Sequence, residues 1–275
     1  MTDVIPMHPL NLFSRDELAM AFGTIAVGAG QLILKARDHG ACVQIKTDGS
    51  PLTNADLEAD RFIRARLSAI LPGVTVITEE TIDLADSLDV SLDHFVLVDP
   101  LDGTREFIAG RDEFTVNIAL VSDREPVVGA VYAPAKSSLY IASEKAFWSD
   151  VHSGQTMPSV SGMRQLKASP VRPDDLRAVI SRSHLDKATE NWLEQHRVSS
   201  HVSAGSSLKF CVVAEGSADV YPRCAPTMEW DTAAGHAILA AAGGRVVSPD
   251  GSPLRYGKIE AGFRNSAFVA WGATR

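Results

Sequence analysis

The stretch FVLVDPLDGT, residues 95–104, places four apolar residues directly before two carboxylates. A continuous apolar run of this kind is typical of a strand that is buried on both faces. Pro100 and Gly103 are turn residues, so Asp99 and Asp102 are predicted to lie on a turn at the end of that strand. Functional groups often lie at the carboxyl ends of such strands. The two carboxylates, three residues apart, are therefore predicted to face one pocket.

This turn has the composition of a metal site. Burying two anions side by side is costly unless something neutralises them. Mg²⁺ takes oxygen ligands, so Asp99, Asp102 and the backbone carbonyl of Leu101 are candidate ligands. Gly103 allows a ligand to approach the backbone, and Thr104 supplies a hydroxyl that can position a water. The alternative is a turn whose Asp side chains only cap backbone N–H groups.

Three further carboxylates stand at the ends of predicted elements. Glu79 follows the strand predicted at 74–77, although Glu residues are common on surfaces. Asp231 precedes the helix predicted at 232–242, where it is either an N-cap or a metal ligand beside a bound phosphate. Asp56 lies in the first turn of another helix, as an ordinary first-turn residue or as an outer metal ligand.

The remaining pattern predicts layered α/β packing, because strands alternate with helices in the second half. Ser14 and Glu17 have the spacing of a capping box, and Thr53 can cap a second helix. The predicted helices are 15–35, the helix after Thr53, 187–195, 206–214 and 232–242, and the predicted strands are 74–77, 95–98, 114–121, 127–132, 139–142, 178–181, 198–202, 219–221, 245–247 and 268–271.

Two segments have no regular periodicity. The acidic stretch 81–93 is interpreted as a mobile surface segment. The stretch 148–173, which is rich in Ser, Gly, Pro and Met, is interpreted as a junction. It divides the chain into an N-terminal α+β subdomain, 1–150, with most of the metal ligands, and a C-terminal α/β subdomain, 151–275, with Asp231 and the substrate-selecting segments.

Composition limits the class of protein. The 275 residues are 45% hydrophobic and 22% charged, which is typical of a globular protein, and the formal net charge of -8 argues against nucleic acid as a partner. Cys42, Cys211 and Cys224 have no zinc or disulfide spacing, so reduced thiols are expected. The first 13 residues do not resemble a signal peptide, and no apolar run approaches the length of a membrane helix. The expected location is the cytoplasm.

Three motifs occur together in a fixed order: Glu79-Glu80, the turn at 99–104, and WDTAAG at 230–235. Together they resemble the lithium-sensitive, magnesium-dependent phosphatases of the inositol monophosphatase superfamily. Within it, five segments are similar to the 3'(2'),5'-bisphosphate nucleotidases of the CysQ type. These segments are DPLDGTREFI (99–108), EFTVNIAL (113–120), ISRSH (180–184), GSSLKF (205–210) and APTMEWDTAAGHAIL (225–239). Three residues depart from the usual family pattern without removing a ligand: Thr78, Arg105 and Ala225.

The resemblance implies an inositol monophosphatase-like (sugar phosphatase) fold, which is an α/β/α/β/α layered sandwich. It implies hydrolysis of 3'-phosphoadenosine 5'-phosphate to AMP and phosphate, in sulfate assimilation or nucleotide recycling. Two or three Mg²⁺ ions are expected, with Mn²⁺ as a substitute. We expect Glu79, Asp99 and the Leu101 carbonyl to hold one ion, and Asp99, Asp102 and Asp231 to hold a second.

The same resemblance assigns roles in catalysis and binding. Glu79 and Thr104 would orient the attacking water, and Asp56 would complete a third, weaker ion site. The expected substrate-binding residues are Glu79, Leu101, Asp102, Gly103, Thr104, Ser183, His184, Gly205, Ser206, Lys209 and Asp231. Four of them have ordinary structural alternatives: a loop histidine for His184, a solvated helix residue for Lys209, a helix N-cap for Ser206 and a turn for Gly205.

Other functions and partners stay open at this point. The near alternative is hydrolysis of inositol monophosphate or fructose 1,6-bisphosphate. The alternative of another class is a non-catalytic protein that binds phosphorylated metabolites, although such a protein would be expected to have lost metal ligands. The expected partner is a small phosphorylated nucleotide. A homodimer and peripheral association with the inner membrane are both compatible with the resemblance.

Overall fold

The computed structural model describes residues 12–47, 49–82, 93–182 and 185–274. The acidic segment predicted at 81–93 therefore lies mostly outside the described residues, and so do the predicted binding residues Ser183 and His184.

Six α-helices and sixteen strands are present in the described residues. The helices are α1 Arg15–Asp38, α2 Asn54–Ile70, α3 Thr104–Ile108, α4 Lys187–Gln195, α5 Leu208–Ala214 and α6 Ala233–Ala241. The strands are β1 Val43–Ile45, β2 Pro51–Thr53, β3 Thr75–Thr78, β4 His94–Asp102, β5 Thr115–Ser122, β6 Glu125–Ala133, β7 Ser138–Ala142, β8 Ala146–Asp150, β9 Arg164–Gln165, β10 Leu176–Ser181, β11 Val198–Ala204, β12 Val220–Arg223, β13 Thr227–Met228, β14 Arg245–Val247, β15 Arg264–Asn265 and β16 Phe268–Trp271.

The two N-terminal helices begin where their capping residues predict. The Ser14 N–H donates to the Glu17 carboxylate over 2.7 Å, and the Glu17 N–H donates back to the Ser14 hydroxyl over 3.2 Å. The Thr53 hydroxyl accepts the N–H of Ala55, and the Thr53 N–H donates to the Asp56 carboxylate over 2.7 Å. Both predicted capping positions are confirmed. Asp56 thus belongs to a capping box.

Two main sheets form the frame. The first has seven strands in the order β3-β4-β5-β6-β7-β8-β9, and the second has five in the order β11-β10-β12-β16-β14. In the first sheet only β3 and β4 run parallel, whereas β10 is parallel to both of its neighbours in the second. Two small antiparallel pairs, β1 with β2 and β13 with β15, complete the strands of the described residues.

The helices cover these sheets in layers. Helices α1 and α2 pack against β4, β5, β6 and β7, whereas α6 packs against β5 to β8 from the other face. Helix α5 contacts α6 as well as β10, β12 and β16, so α5 and α6 lie between the two sheets. Helix α4 contacts β12 and covers the second sheet with Trp192 and Leu193. The predicted α/β/α/β/α sandwich is confirmed.

Apolar residues fill the space between the layers. One core lies under α1 and α2 and includes Phe22, Ile63 and Phe114, all fully buried. The second lies between the two sheets and includes Phe210 and Phe268, whose stacked rings are 5.6 Å apart. Burial on both sides of the seven-stranded sheet explains why the run before Asp99 is continuously apolar.

Some short elements differ from the prediction. The helix predicted at 206–214 begins at Leu208, because Ser206 adopts a left-handed φ of 52°. Helix α3, the β1–β2 hairpin, strand β8 and the two-residue strands β9, β13 and β15 were not predicted. Elements of two to five residues are too short to show a period, and contacts with the rest of the fold determine them.

Strand β9 affects where a boundary between the two predicted subdomains would lie. It pairs with β8 at the edge of the seven-stranded sheet, so sheet membership changes between Gln165 and Leu176. A division at residue 150 remains a prediction, and sheet membership favours a boundary after β9.

By length and composition, the 24-residue helix α1 is long and apolar enough to span a membrane. That property was not expected from the sequence pattern, but helix α1 packs on β6 and β7. Phe22, Ala26, Ala29 and Ile33 are fully buried there. These contacts identify α1 as a core helix of the layered fold.

Gly129 determines how closely α6 approaches the first sheet. A Cβ on Gly129 in β6 would lie 2.7 Å from the backbone oxygen of Ala234 and 2.9 Å from the Cβ of Ala237. We expect Gly129→Ala to lower the free energy of unfolding by about 1–3 kcal/mol, because the helix must move away from the sheet. Urea denaturation of this variant and of Gly162→Ala, whose Cβ has room, measures the effect; equal stability of both variants would contradict the prediction.

Candidate active site

A bulge at the end of β4 brings Asp99 and Asp102 to the same side. Residues three apart on a regular strand point to opposite faces. Here Asp99 pairs with Asn117 of β5 and Asp102 pairs with Thr115, so β4 contains one extra residue between the pairs. The extra residue shifts the alternation of side chains between the two faces of the sheet, as β-bulges do. Both carboxylates therefore line one cavity.

The cavity has a volume of about 440 Å³ and lies between the ends of the two sheets. Most of the predicted site residues line it. The members that do so are Glu79, Asp99, Leu101, Asp102, Gly103, Thr104, Gly205, Ser206, Lys209 and Asp231. Asp56 does not line it but contacts Thr104, and Ser183 and His184 lie outside the described residues.

Asp99 is the most deeply buried of these carboxylates, with 2% of its surface exposed. Its Oδ1 accepts the Leu101 N–H over 3.0 Å, so part of the local capping alternative is realised. Burial raises the pKa of Asp99 well above its usual range, and the charges of Glu79, Asp102 and Asp231 raise it further. Asp99 therefore lies at the centre of a concentration of negative charge.

Asp102 is held from the second half of the chain. Its Oδ2 accepts the Ser206 hydroxyl over 2.7 Å and lies 3.0 Å from the hydroxyl of Ser207. The Ser207 hydroxyl also lies 2.7 Å from the backbone oxygen of Asp231 and accepts from the Asn117 amide over 2.9 Å. This network joins the end of β4 to the turns before α5 and α6. Ser207 and Asn117 were not predicted, since nothing in the local sequence distinguishes them.

Asp231 is not a helix cap. The N-cap of α6 is Thr232, and it makes no side-chain capping bond. The Asp231 carboxylate instead accepts from the Thr227 hydroxyl and from the Met228 N–H. Burial raises the pKa of Asp231 to about 7, and Asp102 and Glu79 contribute in the same direction against the two hydrogen bonds. The Asp231 side chain thus belongs to the cavity wall and does not cap helix α6.

Glu79 is paired with a cation. Lys46, which follows β1, lies 2.9 Å from the carboxylates of both Glu79 and Glu80. Burial raises the pKa of Glu79, and Lys46 only partly offsets this while Asp56 and Asp102 add to it. Burial also raises the pKa of Glu80 to about 7. Lys46 was not predicted, because it lies on a hairpin that the sequence did not indicate.

Thr104 links Asp56 to the turn. Its hydroxyl lies 3.2 Å from Asp56 Oδ1 and 3.1 Å from the backbone oxygen of Leu101. Gly103 precedes it with a φ of 93°, which favours glycine. The single hydroxyl proton can be donated to one of these two oxygens at a time, and the hydroxyl oxygen of Thr104, a cavity-lining residue, can still accept a hydrogen bond.

The second wall of the cavity is cationic. Lys209 is only 6% exposed, so it is not a solvated helix residue, and its ammonium donates to the Ser206 backbone oxygen. Burial lowers the pKa of Lys209 to about 8, although Asp102 raises it. Ser206 is not an N-cap, because Ser207 occupies that position. Arg223, which sequence reasoning missed, lines the cavity near Lys209.

Comparison with known proteins gives the family. The family model described as "Inositol monophosphatase family" matches residues 14–270. This chain belongs to the inositol monophosphatase family. The 3'(2'),5'-bisphosphate nucleotidase CysQ of Escherichia coli (strain K12) is 40% identical in an alignment of 250 residues that covers 89% of this chain and 97% of that protein.

Other members of the inositol monophosphatase family are also similar to this chain over most of its length. The protein of the same name from Salmonella typhimurium (strain LT2) is 41% identical over 89% of this chain and 95% of its own length. The crystal structure of CysQ from Bacteroides thetaiotaomicron superposes with a TM-score of 0.77 at 38% identity, covering 94% of this chain and 98% of that one. The layered fold described above is thus the fold of this family.

The donor set suits a divalent ion of the kind that this family requires. All candidate ligands are oxygens, and the hard cations Mg²⁺ and Mn²⁺ prefer such ligands. Among residues 12–47, 49–82, 93–182 and 185–274, no three Asp, Glu, His or Cys side chains stand close enough to form a ligand cluster. Each carboxylate is engaged by a neighbouring donor, such as Lys46 at Glu79.

The charge of Asp99 should be measurable as a stability effect. Its pKa is higher in the folded than in the unfolded chain, so the folded state without divalent ions loses stability as pH rises above about 4. We expect Asp99→Asn to raise the free energy of unfolding in chelator at pH 7.5 by at least about 1 kcal/mol, since a change of one in pKa corresponds to about 1.4 kcal/mol.

Urea denaturation at pH 7.5 and pH 4 measures this gain, which should shrink at the lower pH. Asp112→Asn is the control, because the Asp112 side chain is 60% exposed. A variant that is less stable than the native protein at both pH values would show that Asp99 carries no destabilising charge.

Proposed function

We propose that the protein is a magnesium-dependent 3'(2'),5'-bisphosphate nucleotidase that hydrolyses 3'-phosphoadenosine 5'-phosphate to AMP and phosphate. One observation carries the proposal: a single cavity has a wall of buried and half-buried carboxylates and, on the other half of the chain, buried Lys209 with Arg223 beside it. The relatives described above match 89% of the chain and are bisphosphate nucleotidases by name.

Two walls of opposite charge suit a substrate with two phosphates. The phosphate to be removed would lie at the carboxylate wall, where divalent ions reverse the local charge. The other phosphate would lie toward Lys209 and Arg223, where an anion offsets the cost of burying an ammonium group. A monoester without a second anion would leave this wall without its counter-charge.

The metal ligands in this proposal are Glu79, Asp99, Asp102, Asp231 and the Leu101 carbonyl. Bound Mg²⁺ would neutralise the phosphoryl oxygens and lower the pKa of a bound water. Two or three ions remain part of the proposal, with Asp56 near the outermost, and Mn²⁺ would suit the same oxygens.

The residues around the turn would orient the attacking water. Asp56 and the Leu101 carbonyl hold the Thr104 hydroxyl, so its oxygen can accept a hydrogen bond from water. Glu79, whose pKa is raised by burial, would take up the proton of that water. The backbone N–H groups of Gly103 and Thr104 are the proposed contacts to the phosphate.

The proposed partner is a small phosphorylated nucleotide, since an acidic chain does not suit nucleic acid. Cys42, Cys211 and Cys224 are free thiols, and we propose a cytoplasmic location in which they stay reduced. A homodimer and a peripheral contact with the inner membrane remain predictions from the family resemblance.

Phosphate release from a panel of substrates tests the proposal directly. We expect 3'-phosphoadenosine 5'-phosphate to be hydrolysed faster than inositol 1-phosphate or fructose 1,6-bisphosphate, in a reaction that needs Mg²⁺ and is inhibited by Li⁺. Asp102→Asn is the inactive control, because it removes one ligand charge. Faster release from a sugar or inositol phosphate, or equal release after chelation of divalent ions, would refute this function.

The cationic wall gives a second prediction. Lys209→Met and Arg223→Gln should each raise KM for 3'-phosphoadenosine 5'-phosphate by about tenfold or more, because each removes a charge facing the second phosphate. KM for p-nitrophenyl phosphate, which has no second phosphate, should change much less. Arg61→Gln, on the exposed face of α2, is the matched control. Equal effects on both substrates would place the two cations outside the second phosphate site.

A further inference from the structure

Glu113, just before β5, joins the two halves of the chain beside the cavity. Its carboxylate oxygens accept from the Arg182 Nε over 2.8 Å and from a terminal nitrogen of Arg182 over 3.0 Å. Arg182 follows β10 in the second half and also donates to the Ser203 backbone oxygen of β11. The pair is bidentate, so it fixes an orientation as well as a distance.

The body of Glu113 lies against two cavity-lining turns. A Cβ on Gly103 would be 3.0 Å from the Glu113 backbone oxygen. A Cβ on Gly205 would be 2.8 Å from the Glu113 Cβ and 3.0 Å from the same backbone oxygen. One residue therefore touches both the turn after β4 and the turn after β11. The spacing between the two turns depends on where Glu113 lies.

The electrostatic surroundings of Glu113 favour its charged form. Partial burial raises its pKa, but Arg182, Lys136 and the Gly205 N–H outweigh this, so the pKa of Glu113 is lowered. The Lys136 ammonium lies 3.8 Å from the carboxylate. At neutral pH the charged pair with Arg182 is thus the resting state of this side chain.

We propose that Glu113 is a positioning residue for substrate selection, which sets the distance between the carboxylate wall and the cationic wall of the cavity through its pair with Arg182. This inference rests on the function proposed above. Glu113 does not line the cavity, so it acts through Gly103 and Gly205. A substrate with two phosphates must reach both walls at once, whereas a simple monoester needs only one.

A purely structural role predicts a different result. The Arg182 side chain is 46% exposed, but that of Glu113 is only 15% exposed, so loss of this bidentate pair should lower the resistance to urea measurably. A purely structural effect of this kind should leave KM unchanged for both substrates. The positioning role instead predicts a change in KM for the two-phosphate substrate, and not in kcat.

The test uses Glu113→Gln, which keeps the shape of the side chain and removes its charge. We expect KM for 3'-phosphoadenosine 5'-phosphate to rise about fivefold, with kcat within about twofold of the native value. KM for p-nitrophenyl phosphate should change by less than about twofold. Glu125→Gln is the matched control, because it removes an exposed Arg–Glu pair, with Arg255, that also joins the two halves.

A double-mutant cycle with Arg182→Gln identifies the pair as the cause. If the two residues act together, the double variant should have about the same KM as either single variant. Native protein without activity on the bisphosphonucleotide would refute the proposed function and not this inference. If the native protein is active, any one of three results would overturn the inference. These are additive effects in the cycle, equal KM changes for both substrates, and an unchanged KM in Glu113→Gln.

Discussion

The repulsion between carboxylates that are buried together governs the structure around the cavity. Asp99 lies within reach of the charges of Glu79, Asp102 and Asp231, and burial makes each charge more costly. The chain supplies a donor at every one of them, which includes the cation of Lys46 at Glu79. Hard divalent ions would neutralise these carboxylates together, so the demand for metal follows from the same repulsion.

The layered fold makes this crowding possible. Asp99 and Asp102 come from the first sheet, whereas Asp231 comes from the start of α6, between the two sheets. Close approach of α6 requires glycine at position 129, and the helix itself is kept close to α5 by Gly235 against Phe210. Packing of small residues therefore brings Asp231, which lies 129 positions after Asp102 in the chain, to the end of β4.

The opposite charges on the two walls explain how one cavity can bind both ends of one substrate molecule. The acidic wall belongs mainly to the first half of the chain and the cationic wall, with Lys209 and Arg223, to the second. Their separation depends on contacts between the halves, such as the Asp102 carboxylate with the Ser206 hydroxyl. The relative placement of the halves is thus a determinant of which substrate fits.

The sequence by itself determined the long elements, the capping of α1 and α2, the layered fold and the acidic positions at the ends of strands, because periodicity and turn chemistry are local properties. The local sequence left Asp231 open between a helix cap and a metal ligand, and only tertiary structure decided that it does not cap α6 and that Lys46, Ser207 and Arg223 join the site. The reason is physical: a side chain's charge state and partners depend on neighbours that are distant in the chain, and burial decides how strongly they interact.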